Sequence, residues 1–159
     1  MSTPPIFPWR LILASASPRR RQLLQGLDLP VEITSVDVDE TPPVGMPDDQ
    51  VAEHLARKKA EAWSGSLQTD QVLITADTTV LLDDSSGPHL LNKPVDDADA
   101  RRMLALLSGR SHRVITGVCL RTARGMSSFA DTAVVHFRAL TADEIAYYVA
   151  RHQPMDKAG

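Results

Sequence analysis

One cysteine, Cys119, is all the chain of 159 residues contains. A single thiol excludes an intramolecular disulfide, and with no Cys cluster there is no zinc-site spacing. This points to a reducing, cytoplasmic setting. A basic excess is also missing: 17 Lys and Arg stand against 20 Asp and Glu, for a net charge of -3. A general nucleic-acid coat is thereby disfavoured, although a local basic site is not. The start, Met1 to Arg10, holds three prolines and no long apolar run, so it reads as neither signal peptide nor membrane helix. There is no internal repeat, no low-complexity tract and no P-loop, GxGxxG or GxSxG pattern. His54, His112 and His136 lack metal-ligand spacing; His112 reads as a structural hydrogen-bonder and the others as bland.

What remains is an ordinary globular composition. Apolar residues make up 43%, enough for a sizeable core in one domain or two small lobes sharing one. Residues 1–10 read as a flexible tail. Leu11 to Ala14 is a short apolar run, expected as a buried strand. Ser17 before Pro18 reads as an N-cap with proline at the first helical position, and the helix should stop at Gly26. Val31 to Val38 alternates as a strand. A second helix is expected from Asp48 or Asp49 to Gly65. Val72 to Ile74 and Val80 to Leu82 read as strands flanking Thr75 to Thr79, with a turn from Asp83 to Pro88. A third helix should follow Asp96, burying Ala100, Met103, Leu104 and Leu107 and ending at Gly109. Val114 to Leu120 and Thr132 to Phe137 should form an antiparallel pair around Gly125. Thr141 and Glu144 make a capping box for a last helix. Mixed strands and helices give an α/β or α+β class.

Three features carry chemistry. Ser15-Ala16-Ser17-Pro18-Arg19-Arg20-Arg21 follows a strand and opens a helix. Arginines in a first turn oppose the macrodipole, at roughly 0.3–1 kcal/mol each. A bound phosphate would compensate by accepting from N–H groups, hydroxyls and guanidinium forks; the alternative is arginines pointing to solvent. Lys59 is the second feature. At about 100° per residue it falls near the centre of the apolar face marked by Val51, Ala52, Leu55, Ala56, Ala62 and Trp63. It must be paired, reach a polar cleft or snorkel. Removing so poorly solvated a charge is expected to leave the fold intact. The third is Asp77 in Thr75-Ala76-Asp77-Thr78-Thr79. An acid between apolar runs destabilises unless it is hydrogen-bonded or holds a cation, and it could orient or deprotonate water. Asp37 and Asp39 read as ordinary turn acids, and Lys93 alone as a surface lysine.

In order along the chain come Leu11-Ile12-Leu13-Ala14-Ser15-Ala16-Ser17-Pro18-Arg19-Arg20, Val38-Asp39-Glu40-Thr41, Leu55-Ala56-Arg57-Lys58-Lys59-Ala60 and Ala76-Asp77-Thr78. Asn92-Lys93-Pro94, Leu107-Ser108-Gly109, His112 to Gly117, Thr132 to Phe137 and Pro154 to Gly159 follow. In this order the segments resemble the Maf family of nucleotide pyrophosphatases over residues 11–159. The resemblance implies a single domain with a mixed, elongated α/β sheet flanked by helices, in two lobes with a central cleft, similar to the inosine triphosphate pyrophosphatases. It implies Mg²⁺- or Mn²⁺-dependent cleavage of nucleoside triphosphates between the α- and β-phosphates. Asp77 would be the catalytic carboxylate. Ser15, Arg19, Arg20, Lys59, Lys93, Asp156 and Lys157 would bind phosphates, and Glu40 with Asp77 the metal. Arg19 and Thr78 resemble the branch acting on dTTP and UTP, not the branch acting on 7-methyl-GTP. A septum-formation or nucleotide-holding role without turnover is the competing reading. The partner implied is a nucleotide, not nucleic acid or membrane, and a homodimer is compatible. Family chains continue past Gly159 with a substrate-contacting tyrosine and glutamine, so a C-terminal segment is expected to be lacking, with loss of activity and more self-association.

Overall fold

A computed structural model describes residues 7–157. It contains six strands and four α-helices, in a mixed sheet flanked by helices. The chain divides into two compact units. Of the described residues, the first takes 7–44, 52–77 and 117–130; the second takes 45–51, 78–116 and 131–157. No helix among the described residues is long and apolar enough to cross a membrane.

In the first unit β1 (Arg10–Ala14) is central. It pairs in parallel with β2 (Val31–Thr34) on one side and with the start of β3 (Gln71–Asp84) on the other. Parallel neighbours require crossovers, and these are α1 (Pro18–Gln25) and α2 (Val51–Ala62). A strand covered on both faces should be continuously apolar; Leu11, Ile12, Leu13 and Ala14 are all buried. Ile12, Ala14, Ala56, Ala60, Leu73 and Cys119 form the core, with Trp63 and Met126 packed against it. Each large aliphatic side chain buried here contributes roughly 1.5–3 kcal/mol. The helix can lie this close to the sheet because Gly117 has no side chain. A Cβ there would come within 2.3 Å of the Ala52 carbonyl and the Glu53 nitrogen.

In the second unit the end of β3 pairs antiparallel with β4 (Gly87–Leu91), Val80 opposite Leu91 and Asp84 opposite Gly87. α3 (Asp97–Leu107) starts where Asp96 accepts from the Asp99 N–H at 2.7 Å, and it buries the four residues expected of it. α4 (Ala142–His152) has both bonds of the Thr141–Glu144 capping box. Ala100 and Leu104 of α3 meet Ile145 and Val149 of α4, with Phe137, Leu140 and Met155 alongside.

Several boundaries differ from the sequence reading. β3 is one strand of 14 residues, not two: Thr75 to Thr79 read as polar, yet threonines are β-branched and suit a pleated strand. β2 stops at Thr34, where β1 itself runs out. Ala14 is opposite Thr34 and the Ser15 N–H makes the next bond to the Thr34 carbonyl, after which the chain turns into α1. Val36 and Val38 keep the alternation but have no ladder to join. α2 is preceded by a 3-10 turn at Asp48–Gln50 and ends at Ala62, before Gly65. The turn after β3 tightens to Ser85 and Ser86. β5 (Ser111–Thr122) extends beyond both expected ends; β6 (Gly125–His136) begins well before Thr132 and stops one residue short of Phe137; the two meet at Ala123-Arg124. Of the expected tail, residues 1–6 lie outside the described residues, as do Ala158 and Gly159, and Arg10 already belongs to β1.

Candidate functional site

The turn from β1 into α1 is built on hydroxyls. Ser15 is buried, and its Oγ accepts from the Ser17 N–H at 3.1 Å; Ser17 Oγ accepts from the Arg20 N–H at 3.5 Å. Pro18 opens the helix with a φ already suited to it. No residue of α1 is fully buried. Arg19 is exposed. Arg20 turns inward, and its Nη1 donates to the Ala76 carbonyl at 3.0 Å. Burial lowers its pKa, partly offset by the nearby Asp77 charge.

That carbonyl precedes Asp77 on β3. Asp77 is 9% exposed, and so is Lys59 of α2. The Lys59 Nζ lies 2.7 Å from Asp77 Oδ1 and 2.7 Å from Glu40 Oε1. One ammonium therefore bridges a buried carboxylate and a more exposed one, which answers the question the helix pattern raised: Lys59 is paired, not snorkelling. The loop carrying Glu40 is fixed on either side. Lys58 Nζ donates to the Asp39 carbonyl at 2.6 Å, and Asp39 Oδ1 accepts from the Thr41 N–H at 2.9 Å. The hydrogen bonds from Thr41 also hold the Asp39 carboxyl below its ordinary range. Asp39 is thus a turn residue, as its position at a strand end suggested.

Ser15, Arg20, Glu40, Lys59 and Asp77 all belong to the first unit. Thr78, Lys93, Asp156 and Lys157 belong to the second. Thr78 Oγ1 lies 3.2 Å from Thr116 Oγ1. Lys93 is exposed beside the buried Pro94, and Asp156 is exposed. Lys157 borders a small apolar hollow lined by Pro94, Met103, Leu107, Tyr148 and Pro154.

His112 is buried, its ring meets Phe137 edge-on at 5.1 Å, and the hydrogen bond expected of it is not made through Nδ1, which has no partner among the described residues. Burial lowers its pKa. Two contacts had no separate sequence signal. Ser128 on β6 donates to Glu53 Oε1 at 2.6 Å and accepts from Arg57 at 3.0 Å. Arg121 on β5 donates to the Ala60 carbonyl at 2.7 Å and the Trp63 carbonyl at 3.2 Å. Among the described residues no three His, Cys, Asp or Glu side chains gather as a metal cage. The hard oxygen donors of Glu40 and Asp77 converging on one cation do suit Mg²⁺ or Mn²⁺, which takes one or two carboxylates and fills its shell with water and phosphate.

Comparison with known proteins follows the same line. Residues 10–159 match the family described as Maf-like protein. The chain is 43% identical over 152 residues to the dTTP/UTP pyrophosphatase of Bacteroides thetaiotaomicron, covering 95% of this chain and 77% of that protein. The dTTP/UTP pyrophosphatase of Porphyromonas gingivalis is 43% identical over 154 residues, covering 95% and 75%. That of Alkaliphilus oremlandii is 43% identical over 152 residues, covering 94% and 77%. Among solved structures, the Staphylococcus aureus Ham1 protein aligns with a TM-score of 0.48 and 14% identity over 80% of this chain and 71% of that one.

Proposed function

The chain belongs to the Maf family, and on that premise we propose that it hydrolyses nucleoside triphosphates, dTTP and UTP first among them, to the nucleoside monophosphate and pyrophosphate. The observation that carries this reading is the buried Lys59 ammonium bridging Asp77 and Glu40 beside the arginine-bearing start of α1. A site with cations on one side and paired carboxylates on the other suits a polyanion that must be held while water is activated.

Asp77 accepts a proton from the attacking water as its oxygen bonds to phosphorus. The bridging oxygen between the α- and β-phosphates then leaves with pyrophosphate. An ammonium has three donor hydrogens. With two directed at Asp77 and Glu40, the third of Lys59 donates to a phosphate oxygen. The positive end of α1, opened by the Ser15 and Ser17 turn, favours an anion, and Arg19 and Arg20 add guanidinium donors. Glu40 and Asp77 are the residues to hold Mg²⁺ or Mn²⁺, which when bound neutralises developing charge on the phosphate oxygens. Lys93 and Lys157 of the second unit are further candidate donors to phosphate, and Arg19 and Thr78 candidate determinants of base choice. The single buried thiol suits work in a reducing cytoplasm.

The test is a panel of nucleoside triphosphates with Mg²⁺ or Mn²⁺, scored for pyrophosphate release. dTTP, UTP and forms modified at the pyrimidine 5-position should have the highest kcat/KM. Faster turnover of 7-methyl-GTP than of UTP would reassign the chain to the purine branch. Tight nucleotide binding with no pyrophosphate released would make it a holding protein instead of an enzyme.

A further inference from the structure

We propose that Thr75 is a positioning residue: its hydroxyl fixes where α2 lies along β3 and so aligns the Lys59 ammonium on Asp77. Thr75 is fully buried, and its Oγ1 donates to the Ala56 carbonyl at 2.6 Å. Thr75 and Asp77 are two residues apart on a strand, hence on one face. Ala56 and Lys59 are three apart on a helix, hence on one side. Two rungs therefore cross the same gap between the same two elements, Thr75 to Ala56 and Asp77 to Lys59.

The two rungs differ in kind. The second is an ion pair that reactants must loosen or share. The first is neutral and closed. The Ala56 carbonyl sits inside α2, where it already accepts the N–H four residues on, so the hydroxyl does not rescue an orphan acceptor. It is the hydroxyl that would lose its partner if α2 slid, and a buried hydroxyl without one is destabilising. It therefore resists sliding in both directions. Other contacts set different coordinates of the same helix. The missing Cβ at Gly117 sets its depth on the sheet, and Arg121 ties its last carbonyls. Both act from β5, whereas Thr75 ties α2 to β3 itself. Lys59 reaches Asp77 through a flexible four-carbon stem, which can follow a displaced helix and re-form a pair but not the same alignment. Misalignment of that kind lowers turnover more than binding.

This inference rests on the proposed hydrolysis, and the test separates the two. Parent, Thr75→Val and Thr75→Ser proteins are assayed with UTP and Mg²⁺. Lys59 acylation by acetic anhydride is also measured by mass spectrometry without nucleotide, with the exposed Lys93 as the internal standard. Thr75→Val should lower kcat at least about tenfold while KM stays within about twofold. Its Lys59 should be acylated at least about threefold faster relative to Lys93, because the ammonium is less firmly held. Thr75→Ser should restore both to within about twofold. Parent-like kcat or unchanged acylation in Thr75→Val, or failure of Thr75→Ser to rescue, overturns the proposal. If the parent releases no pyrophosphate, the functional reading fails and the acylation comparison alone decides the positioning role. If Thr75→Val does not fold by circular dichroism, Thr75→Cys, with a weaker donor, takes its place in the same comparison.

Discussion

Asp77 is a nearly buried carboxylate on a strand, and its companion cation comes from a helix. A buried acid and a buried lysine are each costly alone; together they remove much of each other's cost. Asp77→Asn keeps the shape but cannot take a proton from water, so turnover should fall at least about a hundredfold while nucleotide affinity survives. Near-parent kcat in this variant would make Asp77 structural. For Lys59 the pairing changes what the helix pattern alone suggested. Deleting an unpaired lysine would remove a burial cost, but Lys59→Ala leaves Asp77 buried without its ammonium. The expected loss is roughly 1–3 kcal/mol of stability, and adding Asp77→Asn to Lys59→Ala should recover part of it. Thermal melts of the single and double variants check this; an additive result would show that the two side chains do not act as a pair.

At the scale of elements, helix starts were the most legible features. Ser17-Pro18, Asp96 and the Thr141–Glu144 box each mark a helix start, because capping chemistry is local. α4 also gives a pH prediction. Arg138, then the Thr141 N–H, hold the Glu144 carboxyl down at about 2, below its ordinary 4.5. A depressed carboxyl contributes stability above its unfolded pKa and loses it as pH falls through the folded one. The melting temperature of the parent should therefore exceed that of Glu144→Gln at neutral pH, with the gap closing between pH 4.5 and 2. A gap that stays constant across this range would mean the charge contributes nothing. Strand limits were less legible than caps, because pairing depends on a distant partner. The alternation from Val31 to Val38 is genuine, but β1 supplies hydrogen bonds only as far as Ala14 and Ser15. The polar look of Thr75 to Thr79 likewise hid a single strand. Of the candidate residues, the run Arg19 to Arg21, Lys59 and Asp77 stood out because each violates a local pattern. Glu40 breaks no pattern, since an acid in a loop is unremarkable until Lys59 is known to reach it.

For the molecule as a whole, two compact units each have a separate hydrophobic cluster, and the candidate residues are divided between them. Lys93, Asp156 and Lys157 carry no local signal of function, so the family resemblance alone singles them out. The division also gives the chain a reporter of its own. Cys119, the one thiol in the sequence, is fully buried in the cluster of the first unit, and burial pushes its pKa up. Alkylation by iodoacetamide requires a thiolate that reagent can reach, so reaction must wait for that cluster to open. The trapping rate in native buffer should be at least about a hundredfold below that in denaturant. Comparable rates would mean the cluster is already open in the native state. Because no second thiol competes, the trapping curve is a clock for excursions around β1, α2 and β5, ticking at the same residue whether or not nucleotide is added.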